Sequence, residues 1–129
     1  MPRVSAAFFA MGALCVLMGM GWGIHMAMHE DFTLMPAHAH LNLLGWVTMG
    51  LFGTFYALTA NTLSPRLAWA NFVISALGVI VMIPSLALLL SNGRDPRLEP
   101  FVAAGSMLTL LGLLVFGVSV VRELVRRRA

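Results

Sequence analysis

The chain has four histidines, His25, His29, His38 and His40, and all of them fall between positions 25 and 40. Imidazole is the commonest metal-ligating side chain and the one that changes charge near neutral pH. His25 and His29 are four residues apart, so on a helix they share a face and could grip one metal ion or flank one ligand. His38 and His40 are two apart, which turns them about 200° from each other around a helix. They point to opposite sides and are poorly placed to bind one metal together. Two sites follow from that angle, one on each side of the helix.

In a symmetric ring of copies, His38 of one chain would face His40 of the next. A flat cofactor could then sit at each interface, coordinated from both sides, an arrangement that suits heme with its two axial imidazoles. For His25 and His29 the residues leave several roles open: a copper or other metal site, contact with heme propionates or the heme edge, or plain interfacial hydrogen bonding. Glu30 and Asp31 stand beside them and are expected to be solvated loop charges rather than partners of a ring N–H.

The elements that must hold these residues are apolar. Of 129 residues 60% are hydrophobic and 10% charged, and the mean hydropathy is +0.90. A soluble domain of this size needs far more polar surface. A bilayer core takes roughly 20 mainly apolar residues per helix, and four stretches meet that length: about Ser5 to Met28, His38 to Thr59, Leu67 to Leu90 and Phe101 to Val121. The fold expected is an all-α, four-helix transmembrane bundle forming a single domain over 1–129. The first stretch is longer than a signal-peptide core and lacks a small-residue cleavage site, so it is expected to be a retained helix. Pro36 suits the first turn of the second helix, where its missing N–H is no loss. The connections are short and rich in turn formers, so neighbouring helices must run antiparallel.

Basic residues set the orientation. Arg3, Arg66, Arg122 and the run Arg126-Arg127-Arg128 fall on one side. The first loop has no Lys or Arg, and in the third loop Arg94 and Arg97 are matched by Asp95 and Glu99. Both termini are therefore expected in the cytoplasm, with the histidines at the outer face of a bacterial-type inner membrane. The net charge of +3 is thus a topology signal and points to no nucleic-acid partner. Ionisable groups at membrane depth usually mark function, which adds to the case for the histidines.

Other residues have plainer readings. Ten methionines, six of them (Met11, Met18, Met20, Met26, Met28, Met35) near the histidines, suggest Cu(I) binding; without a tight repeat they read better as core filler. Cys15, the one cysteine, reads as a small packing residue. Gly19, Gly21, Gly23, Gly45, Gly50 and Gly53 would let helices approach closely or make room for a porphyrin. Trp22, Trp46 and Trp69 suit interface anchoring, with Trp22 and Trp46 near enough to the histidines to pack on a cofactor. Asn42 is expected to hydrogen-bond across the bundle, and Pro84 to kink the third helix and free the carbonyl of Ile80.

The stretch Pro36-Ala37-His38-Ala39-His40-Leu41-Asn42-Leu43-Leu44-Gly45-Trp46 resembles the catalytic subunit (subunit I) of the heme-copper oxidase and nitric oxide reductase superfamily. Its part from His40 to Leu44, followed by Gly53 and Tyr56, is similar to the second helix of the nitric oxide reductase branch. The resemblance implies that His40 is an axial ligand of a low-spin heme near the outer face. That subunit has twelve helices in three arcs of four, and this chain resembles one arc. A homotrimer with heme at the subunit interfaces would complete the ring. The pair His38 and His40 is similar to a His-x-His on the family's tenth helix, whose histidines serve two hemes, so each would face a different heme here.

The chain departs from the family in lacking a second, adjacent histidine pair for copper and a His–Tyr crosslink motif. If histidine fills both axial positions, the iron keeps no open site. The resemblance therefore implies a heme b protein for electron transfer, or for redox or gas sensing, with an unknown redox partner; type b rests on the absence of a Cys-x-x-Cys-His attachment motif and on the family resemblance. The alternatives are a nitric oxide or oxygen reductase with an open heme position, and a histidine-based copper or other metal module without heme.

Overall fold

The computed structural model describes residues 1–126, so Arg127 and Arg128 of the basic run lie outside the described residues. Four helices emerge: α1 (Arg3–His29), α2 (Met35–Leu58), α3 (Pro65–Ser91) and α4 (Glu99–Val125), the last entered through a 3-10 turn at Pro96–Leu98. Among the described residues there is no strand. All four helices are long and apolar enough to cross a membrane. They run a few residues past most of the expected ends, because the backbone ladder continues into polar residues beyond the apolar stretch.

Local chemistry explains where they start and stop. Prolines occupy the first turn of α2, α3 and α4, where no amide partner is lost. At the end of α1, Glu30 takes a left-handed conformation with φ 50°. Its N–H donates to the Ala27 carbonyl and that of Asp31 to the Met26 carbonyl, at 3.4 and 3.2 Å, which closes the last turn. Asp31 then accepts from the Thr33 N–H at 3.0 Å and shapes the short loop into α2.

Glycines fix the antiparallel pairing. A Cβ at Gly12 would lie 3.1 Å from Trp46, one at Gly23 the same distance from His38, and one at Gly19 would collide with Asn42. Cys15 meets Gly45 directly: a Cβ there would fall 2.7 Å from its Sγ. Thus α1 and α2 close along a seam of small residues that ends at the histidines. A second seam joins α3 and α4, where Gly105 faces Met82, Gly78 faces Thr109 and Gly112 faces Ser75.

The core lies toward the end of the bundle where both termini sit. Phe8 is fully buried there, against Phe72, Tyr56 and Phe52 with ring centroids 5.1, 5.7 and 5.8 Å away. Phe116 brings α4 to the same cluster, 4.3 Å from Phe52. Edge-to-face contacts dominate it, as ring quadrupoles prefer. α4 is the outlying helix: 11% of its most apolar window is buried, against 33% in each of the others.

α3 stays helical through Pro84, and the hydroxyl of Ser85 donates to the Val81 carbonyl one turn back at 2.6 Å. One expectation changes. The six methionines near the histidines are mostly not core filler. Met26 is buried and Met11 packs on the core, but Met18, Met20, Met28 and Met35 are exposed on the outer surface.

Candidate functional site

His38 and His40 sit on the last turn of the α-helical opening of α2, Met35–His40. Immediately after them the winding widens into a π-helix over Leu41–Thr48. The side chains of Asn42 and Thr48 donate to the carbonyls of His38 (3.0 Å) and Leu43 (2.8 Å), the second bond spanning five residues as the wider winding does. Segments of this kind recur at functional sites.

The two histidines enter different surroundings, as the angle between them requires. His40 is exposed. Its Nδ1 lies 2.7 Å from the carbonyl oxygen of Pro36, one turn back. A carbonyl can only accept, so the proton is on Nδ1 and the lone pair is on Nε2. This is the tautomer of a metal-ligating histidine held by a backbone carbonyl.

His38 turns inward to α1. Its ring edge lies over Gly23 and its plane meets Trp22 edge-to-face with centroids 6.5 Å apart. The Asn42 amide nitrogen is nearly equidistant from both ring nitrogens, at 3.4 and 3.3 Å, so it lies over the ring and binds neither lone pair squarely. Asn42 therefore holds its own helix at this point; the expected bond across the bundle is not made, although its side chain does press on Gly19 of α1.

On α1, the rings of His25 and His29 stack with centroids 4.2 Å apart and planes inclined by 27°. His29 Nδ1–H donates to the His25 carbonyl at 2.9 Å, which leaves its Nε2 lone pair free as well. Stacked rings send their in-plane lone pairs side by side, so in this conformation the pair does not converge on one ion. Both rings are exposed. Glu30 is exposed, and Asp31 bonds to Thr33 rather than to a histidine. Those Thr33 hydrogen bonds hold the Asp31 carboxyl below its ordinary range, with a smaller contribution from the nearby His25 and His29. In the third loop Arg97 clamps Asp95 through its guanidinium at 2.9 to 3.1 Å and lowers that carboxyl in the same way.

The fold thus brings His25 to His29 and His38 to α1, and leaves His40 facing outward. Among the described residues no three His, Cys, Asp or Glu gather around one point. An axial heme site asks for less, a single well-held imidazole from each side, and His40 fits that donor requirement. No family model matches the chain, and neither a curated protein nor a solved structure does.

Sequence reasoning passed over two polar features. The π-helical segment leaves no mark in the pattern of apolar residues. A buried chain from Ser75 through Asn71 and Tyr56 to Ser119 links α3, α2 and α4; only the polarity of Asn71 and Ser75 within an apolar helix could have signalled it.

Proposed function

We propose that this chain is a four-helix integral membrane protein that binds heme b through His40. In this reading it is a minimal relative of the heme-copper oxidase subunit I and serves electron transfer, or redox or gas sensing. The observation that carries the proposal is the His40 side chain: Nδ1–H anchored on the Pro36 carbonyl, Nε2 free and turned outward on a rigid helix. Heme, when bound, supplies one-electron exchange. His40 holds and orients it, and the anchored Nδ1–H makes the imidazole a better donor.

The second axial ligand is His38 of a neighbouring copy, in a homotrimer with heme at its interfaces. In a single copy His38 is half-buried against Gly23 and Trp22, so its role needs a separate variant. Two histidines on the iron leave no position for nitric oxide or oxygen, which favours electron transfer over gas reduction. The basic residues Arg3, Arg66 and Arg122 support an orientation with both termini in the cytoplasm and the histidines at the outer face, in this reading of a bacterial-type inner membrane.

Heme content per chain after purification tests the assignment. His40→Ala should abolish it, and His38→Ala should convert a six-coordinate spectrum to a five-coordinate one or remove heme. A normal six-coordinate spectrum in His40→Ala would overturn the proposal.

A further inference from the structure

Halfway along the bundle, a cavity of about 290 Å³ lies between α2, α3 and α4. Its lining is mainly apolar, with Leu44, Met49 and Phe52 prominent, and includes the hydroxyl-bearing residues Thr48, Ser75 and Thr109. A hydroxyl has one hydrogen to donate and two lone pairs. Thr48 donates to the Leu43 carbonyl and Thr109 to the Ser106 carbonyl, both at 2.8 Å.

Ser75 is committed too, through the buried chain. Ser119 donates to the Val115 carbonyl at 3.3 Å, so the Tyr56 hydroxyl, 3.1 Å away, must donate to Ser119. The Tyr56 oxygen then accepts from the Asn71 amide nitrogen at 3.1 Å, which leaves Asn71 Oδ1 to take the Ser75 hydrogen at 3.0 Å. The Ser75 oxygen, with its hydrogen on Asn71, packs against Gly112. Thr48 and Thr109, with their hydrogens on backbone carbonyls, keep lone pairs and are the acceptors this lining has to offer.

We propose that the cavity binds a lipid-soluble ring compound that carries a hydrogen-bond donor, a phenol or quinol headgroup rather than a quinone or an ether. An apolar cavity of about 150 Å³ takes benzene, so this one accommodates one or two rings. The flanking Leu110 and Leu113 of α4 are about half exposed, at 49% and 51%, which gives a route in from the side. In an apolar surrounding the donor finds acceptors that an ether cannot use. The inference stands apart from heme at His40 and needs the membrane reading only for the route of entry.

The test is calorimetric titration of the full chain in detergent with 1-naphthol and with 1-methoxynaphthalene, which differ in that one donor. Naphthol should bind roughly tenfold tighter, the worth of one hydrogen bond in such a site. Thr109→Val, nearly the same shape, should reduce that preference, and Leu110→Trp should fill the cavity and abolish binding of both. Equal affinities would show a merely greasy void and overturn the proposal. So would naphthol binding unchanged in both variants, which would place the compound elsewhere.

Discussion

His40 and Asp31 show how a local hydrogen bond sets what a side chain can do. With Nδ1–H held 2.7 Å from the Pro36 carbonyl, His40 presents one defined lone pair. Loss of heme in His40→Ala, with retention in His29→Ala, is the outcome expected if that lone pair is the ligand. His29 has the same anchored geometry but stands on the other helix, stacked on His25. Asp31 carries a pH consequence. Its folded pKa lies below the ordinary 3.8 because Thr33 bonds stabilise the carboxylate. The help it gives the loop is therefore complete above the unfolded pKa and disappears as pH falls through the lower, folded one. An NMR titration of the Thr33 amide should show a midpoint below 3.8, and Thr33→Val should move it up toward that value. The spacing of His38 and His40 foretold that they face different ways. That His38 lies over Gly23 was not legible, because it depends on the register between α1 and α2.

Helix seams raise a different question, that of close approach. A Cβ at Gly105 would fall within 2.6 Å of the Met82 backbone, so a larger residue there must push α4 away from α3. Gly105→Val should destabilise the protein by about 1–3 kcal/mol, the usual range for overpacking, in a denaturant titration in detergent. Gly50, with open space around it, should tolerate alanine without loss. Tyr56→Phe removes the hydroxyl that joins Asn71 of α3 to Ser119 of α4. We expect a loss of about 0.5–1 kcal/mol from it, the usual range for interhelical hydrogen bonds in apolar surroundings. The four helices and the start of α2 at Pro36 were legible, because hydropathy and a missing N–H act within a few residues; Pro65 and Pro100, which also open helices, read only as turn formers. The π-helix was not: an apolar sequence reads alike at both windings, and here the widening coincides with contacts from another helix, Cys15 on Gly45 and Gly19 on Asn42.

Across the assembled bundle, charge and exposure divide the ends and the sides. The arginines Arg3, Arg66 and Arg122 lie at the end holding both termini; at the histidine end Glu30 and Asp31 stand in the first loop, and Arg94 and Arg97 are balanced by Asp95 and Glu99. In a Cys15→Ala background, Arg3→Cys and Glu30→Cys should label from opposite sides of sealed inverted and right-side-out vesicles with an impermeant maleimide. Labelling of both from one side would contradict a spanning α1. The exposed apolar flank of α4, with Met107, Leu114 and Val118, is open to lipid or to a neighbouring copy. The central claim, however, is heme at His40, and an absorption spectrum of the detergent-purified protein tests it most directly. Oxidised and dithionite-reduced spectra, with a pyridine hemochrome assay, should give the sharp bands of a bis-histidine heme b at about one heme per chain. A colourless protein, purified with heme freely supplied, would contradict it.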